Sequence, residues 1–189
     1  MNLPNKLTML RIILVPVFLV LFYLPFVPYR YFIALLVFAV ASITDFFDGK
    51  IARARNLITN FGKLMDPMAD KLVVTSAMAV LCEAKWVPAW VLVTILAREF
   101  LVTAMRTVAA GSGGAIDVSI WGKAKTMVQM IWISYTLALF CAMEYLPLSP
   151  GLEQISWALF NVFMYITVAL TIYSGAQYIF KNTHLFADA

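Results

Sequence analysis

Apolar positions fall into six long runs along the 189 residues, at 7–27, 31–54, 64–83, 87–110, 122–144 and 154–180. Crossing a hydrocarbon core takes about 20 apolar residues as a helix, so each run predicts a membrane-spanning helix. The breaks carry turn chemistry. Pro25 and Pro28 follow the first run, Asn60 and Gly62 precede the third, and Gly111-Ser112-Gly113-Gly114 follows the fourth. Pro147, Pro150 and Gly151 precede the sixth. The second run is apolar only from Tyr31 to Thr44, too short to span alone. It is expected to stay helical through Asp45 and Asp48, its last turns lining a polar cavity. No repeat of fixed period is visible.

Composition narrows the class. With 63% hydrophobic residues, 13% charged and a mean hydropathy of +0.87, the chain does not describe a soluble domain. It describes an all-α integral membrane protein whose helices satisfy their own backbone groups. No Ser/Gly-rich or acidic linker divides it, so 1–189 is read as a single domain. Cys82 and Cys141 lack metal-ligand spacing and are read as buried thiols. The first run has no Ala-x-Ala-like cleavage site and is read as a retained helix.

The net charge of +4 changes the picture through its distribution. With both termini cytoplasmic, Lys6, Arg11, Lys50, Arg53, Arg55, Lys63, Lys71, Arg98, Arg106, Lys123, Lys125 and Lys181 fall on one side, and only Arg30 and Lys85 on the other. By the positive-inside rule the richer side is cytoplasmic. The expected location is therefore the cytoplasmic (inner) membrane, multi-pass, with no nucleic-acid partner.

The densest charge lies in "DFFDGKIARARNLITNFGKLMDPMAD", residues 45–70, on that cytoplasmic side. Asp45 and Asp48 are three apart and Asp66 and Asp70 four apart, so each pair shares a helix face. The short 56–62 connection folds one helix beside the other, allowing the pairs to converge. Four carboxylates in a low-dielectric site resist ionising together. A divalent cation relieves that conflict, and hard oxygen ligands select Mg²⁺, Mn²⁺ or Ca²⁺. Two metals sharing these carboxylates would clamp a phosphate or diphosphate. The plainer alternative is a solvated charge cluster in which Lys50, Arg53, Lys63 and Lys71 neutralise the acids. Four intramembrane acids at these spacings, with Gly49 and Gly62 leaving bare patches nearby, favour a ligand site. Arg53, five after Asp48, is near enough to meet a phosphate.

The pattern Asp45-x-x-Asp48-Gly49-x-x-Ala52-Arg53, eight residues, then Gly62-x-x-x-Asp66-x-x-x-Asp70 resembles the signature of the CDP-alcohol phosphotransferases. "NLPNKLTMLR" at 2–11, "AREFLVTAMR" at 97–106 and "GKAKTMVQ" at 122–129 resemble its phosphatidylglycerophosphate synthase branch. The last helix adds little to the likeness. The resemblance implies a six-helix membrane fold, a homodimer, and transfer of a phosphatidyl group from CDP-diacylglycerol to an alcohol with release of CMP. It implies two divalent cations, Mg²⁺ or Mn²⁺, on Asp45, Asp48, Asp66 and Asp70. Asp70 would also accept the proton of the attacking hydroxyl. Asn5, Thr8, Gly49, Arg53, Thr59 and Gly62 fall at donor-binding positions.

The acceptor is read from the cations outside the signature. Arg98 and Arg106 are eight apart, close to one helical face, and Lys123 and Lys125 lie at the start of the fifth helix. Together the four suit an acceptor carrying a phosphate, and sn-glycerol 3-phosphate fits. Phosphatidylglycerol, as in a cardiolipin synthase, or an inositol phosphate, as in a phosphatidylinositol phosphate synthase, fits the same charges. Ordinary positive-inside topology with snorkelling is the plainer reading of the lysines, and Glu99 could neutralise a neighbouring cation. Outside the class, an aspartate-rich prenyltransferase would space its paired motifs further apart. A membrane cation transporter would not need the Gly49, Arg53 and Gly62 spacing. His184 is read as a surface residue.

Overall fold

The computed structural model describes residues 3–54, 60–111 and 119–183, with side chains at 5–44, 62, 65–111 and 119–183. The described residues form six helices: α1 (Leu3–Tyr23), α2 (Arg30–Ala54), α3 (Asn60–Glu83), α4 (Ala89–Gly111), α5 (Ile120–Tyr145) and α6 (Pro150–Lys181). Each apolar run is thus one helix, and α2 continues through Asp45 and Asp48 to residue 54. Asn5–Tyr23, Ile120–Tyr145 and Pro150–Lys181 are long and apolar enough to cross a membrane. The other three, of 25, 24 and 23 residues, have the length at about 1.5 Å per residue but carry more charged residues.

Several helices start or stop where capping, not hydropathy, decides. α6 begins four residues before its apolar run because the Ser149 hydroxyl accepts from Leu152 N at 3.4 Å and Pro150 enters the first turn. Ser119 caps α5 in the same way, accepting from Gly122 N at 3.0 Å. At the end of α3, Trp86 N donates to Leu81 O at 3.1 Å and Lys85 N to Cys82 O at 3.0 Å. Lys85 stands there at φ 62, the left-handed position that glycine usually fills.

The six helices run alternately up and down. Thr8–Asp66, Arg11–Asp70 and Tyr23–Glu83 are all bonded, so α1 and α3 lie parallel, with α2 packed against both. α5 and α6 are antiparallel, with Trp121 against Tyr173 and Tyr135 against Phe163. The two ends of the bundle differ in chemistry. One is sealed by aromatic rings: Trp86 stacks on Phe140 with centroids 3.5 Å apart, and Phe22 and Phe160 pack around them. Ile13, Val20, Val93, Ile155 and Val162 face outward, as helices in lipid require. The other end is open and polar.

Candidate functional site

The first three turns of α1, the first half of α3, the second half of α4, the start of α5 and the end of α6 meet at the open end. With Ala41 and Ser42 of α2 they surround a cavity of about 890 Å³. Its walls carry Arg11, Asp66, Asp70, Lys71, Arg98, Glu99, Thr103, Arg106, Lys125, Gln129 and Tyr178. Deeper, Val74, Met78, Leu92 and Ile95 make it apolar. A polar head joined to an apolar tail would match such walls.

The acidic wall is built by the parallel packing of α1 and α3. Thr8 and Arg11 are three apart and face Asp66 and Asp70, four apart, one turn for one turn. The Thr8 hydroxyl donates to the Asp66 carboxylate, and the Arg11 guanidinium to Asp70. Arg11 is fully buried, whereas the Asp70 side chain is 42% exposed toward the cavity. Pro67 stands between the two acids and has no N–H for the carbonyl one turn back, interrupting the ladder beside Asp66.

A second wall, built by α4 and α5 with Lys71 of α3, is basic and cross-linked. Glu99 accepts from Lys125 Nζ at 2.8 Å and from Arg98 Nη1 at 3.0 Å. Lys71 donates to the Glu99 carbonyl at 3.3 Å and to the Thr103 hydroxyl. Arg106 Nε donates to the Tyr178 hydroxyl at 3.1 Å. Gln129 is 2% exposed, lines the cavity, and its Nε2 meets no acceptor among the described residues. A buried amide left so is costly unless a ligand or water completes it.

Of the residues singled out from sequence, Asp66, Asp70, Arg98, Arg106 and Lys125 share the cavity. Lys123 is exposed and lies off its wall. Asn5 and Thr8 are buried at the start of α1 and Gly62 at the start of α3. Asp45, Asp48, Gly49 and Arg53 lie on the last turns of α2, with side chains outside the described residues. Thr59 and His184 fall outside the described residues altogether, and the Lys50 and Lys63 side chains do too. Among the described residues, no group of three or more metal-donor side chains is gathered. The charge-cluster alternative paired the acids with Lys71 among others, but Lys71 turns to α4, and Arg11 takes Asp70. Arg11 and Tyr178 line the site although sequence patterns did not single them out, and Lys71, read from sequence only as a neutralising partner of the acids, lines it too. For Arg11 a signal existed: it falls on the same helical face as Thr8.

A family model described as CDP-alcohol phosphatidyltransferase matches residues 1–173. Among similar proteins is the CDP-diacylglycerol–glycerol-3-phosphate 3-phosphatidyltransferase of Bacillus subtilis (strain 168). It is 38% identical over 192 residues, covering 96% of this chain and 95% of the relative. Proteins of the same name from Shigella flexneri serotype 5b (strain 8401) and Escherichia coli (strain K12) are also similar. The first is 38% identical over 184 residues, covering 94% of this chain and 93% of the relative. The second is 39% identical over 173 residues, covering 83% and 94%. With the signature intact from Asp45 to Asp70 and the match running nearly end to end, the chain belongs to the CDP-alcohol phosphatidyltransferase family.

Proposed function

We propose that this chain transfers the phosphatidyl group of CDP-diacylglycerol to sn-glycerol 3-phosphate, giving phosphatidylglycerol phosphate and CMP. The observation that carries the reading is one cavity with a carboxylate wall at Asp66 and Asp70 and a cationic wall at Lys71, Arg98, Arg106 and Lys125. An acid wall suits a metal-bound diphosphate, and a basic wall suits a second, phosphate-bearing substrate. The name that these relatives share supports the same donor and acceptor.

The family is generally dependent on a divalent metal. The residues fit one: Asp66 and Asp70 are hard oxygen donors on one face, and the Arg11 guanidinium already stands against Asp70 as a cation does. Asp45, Asp48, Asp66 and Asp70 would hold two ions, Mg²⁺ or Mn²⁺. When bound, such ions neutralise the diphosphate and the departing CMP.

The chain's own groups do the rest. Asn5, Thr8, Gly49, Arg53, Thr59 and Gly62 serve the donor. Arg98, Arg106 and Lys125 hold the acceptor phosphate, and Lys123, exposed beside them, is a first contact at the mouth. Asp70, exposed to the cavity and oriented by Arg11, takes the proton of the attacking hydroxyl. The new P–O bond forms as the bond to CMP breaks, and CMP leaves as the anion. The chain works as a single domain and as a homodimer in the cytoplasmic membrane, with both termini and the cavity mouth on the cytoplasmic side.

CMP release from CDP-diacylglycerol, measured with a panel of acceptors, tests the reading. Glycerol 3-phosphate should be preferred over inositol phosphate, serine and phosphatidylglycerol. Chelation should abolish release, and Mg²⁺ or Mn²⁺ should restore it. Preference for phosphatidylglycerol, or full turnover after exhaustive chelation, would sink the corresponding part.

A further inference from the structure

The last helix brings no charged group to the cavity, yet it touches both arginines of the basic wall. Tyr178 is 4% exposed, packed among Val102 and Met105 of α4, and its hydroxyl accepts from Arg106 Nε at 3.1 Å. One turn earlier, a Cβ on Gly175 would lie 3.1 Å from Arg98 Cγ and 3.9 Å from its Cβ. Gly175 and Tyr178 are three apart and share a face of α6, the face that packs on α4.

We propose that Gly175 and Tyr178 are positioning residues that set Arg98 and Arg106 for the acceptor phosphate, an inference that rests on the acceptor reading above. An arginine has many rotamers, and fixing it on binding costs entropy. At Arg106 the Tyr178 hydroxyl takes Nε, which fixes the guanidinium plane. Among the described residues, Tyr178 is the one group bonded to that guanidinium, so the end-on pair of terminal nitrogens is left for two phosphate oxygens. At Arg98 the missing side chain of Gly175 lets the arginine stem lie against α6, while its tip donates to Glu99 at 3.0 Å. The helix therefore acts on one substrate only. A plain packing role would instead disturb donor and acceptor alike.

The test uses the full-length enzyme in detergent with CDP-diacylglycerol and glycerol 3-phosphate. Tyr178→Phe keeps the ring and removes the hydroxyl. Its KM for glycerol 3-phosphate should rise roughly 5- to 20-fold, a part of the effect of losing the arginine's own bond to the phosphate. The KM for CDP-diacylglycerol and kcat should stay within about twofold. In an Arg106→Ala background, Tyr178→Phe should add nothing further, because its effect passes through that arginine. Gly175→Ala should raise the same KM, by crowding the Arg98 stem. An unchanged acceptor KM in Tyr178→Phe, an additive effect in the Arg106→Ala background, or equal rises in both KM values overturns the inference. If the parent enzyme turns over no glycerol 3-phosphate, the acceptor reading fails and takes this inference with it. If the parent does so and only the variants are silent, the inference alone fails.

Discussion

Lys125 of α5 donates to Glu99 of α4 at 2.8 Å, with only 2% of the lysine side chain exposed. One acid thus holds a buried cation at the cavity wall and, through Arg98 at 3.0 Å, a second. Removing one partner of a buried pair leaves a charge that neither water nor an opposite charge compensates, at a cost of about 3 kcal/mol. Glu99→Gln should therefore lower the thermal midpoint in detergent. The double substitution Glu99→Gln with Lys125→Met should recover most of that loss while staying poorly active. A double variant no more stable than Glu99→Gln alone would show that the pair contributes little.

Much of this arrangement was legible in the chain, and the limits are physical. Six apolar runs gave six helices because a bilayer forces every backbone group into helical bonds. Their ends were less legible, since Ser149 with Pro150 and Ser119 start helices outside the apolar pattern. Asp66 and Asp70 were legible from local spacing alone. Arg11 against Asp70 was not: its partner lies 59 residues away, and only the parallel packing of α1 and α3 joins them. Tyr178 lies 72 residues from Arg106, and only the packing of α6 on α4 joins them, so nothing local marks it.

The two acids of α3 should separate by role. Asp70→Asn keeps an oxygen donor but removes the proposed base. CMP release should fall about 10²–10⁴-fold, with CDP-diacylglycerol binding far less affected. Asp66→Asn, which alters the group bonded to Thr8, should weaken metal and donor binding together. Equal losses of donor binding in both variants would leave Asp70 as a ligand only.

Topology offers a test independent of turnover. Lys123 is exposed at the open end and Glu144 is exposed near the aromatic end of the same helix. In a background with Cys82 and Cys141 replaced, Lys123→Cys should react with an impermeant thiol reagent only from the cytoplasmic side. Glu144→Cys should react only from the opposite side. Labelling of both from one side would overturn the spanning of α5.

The basic wall distinguishes two lysines that the sequence treats alike. Lys123 and Lys125 are two apart, so a helix cannot turn both to one face. Lys125 is buried in the cavity wall and paired with Glu99, whereas Lys123 is exposed and off that wall. A charge-assisted bond to phosphate contributes roughly 1.5–3 kcal/mol, so losing Lys125 or Arg106 should raise the glycerol 3-phosphate KM about 10- to 100-fold. Arg106→Lys should also be impaired, because an ammonium cannot reproduce the planar two-pronged contact. Lys123→Ala should change that KM by less than about threefold at moderate salt, where an exposed charge is screened. The donor KM should hardly move in any of them. A Lys123→Ala variant as impaired as Lys125→Ala would mean that the phosphate sits at the cavity mouth, outside the wall formed by α4 and α5.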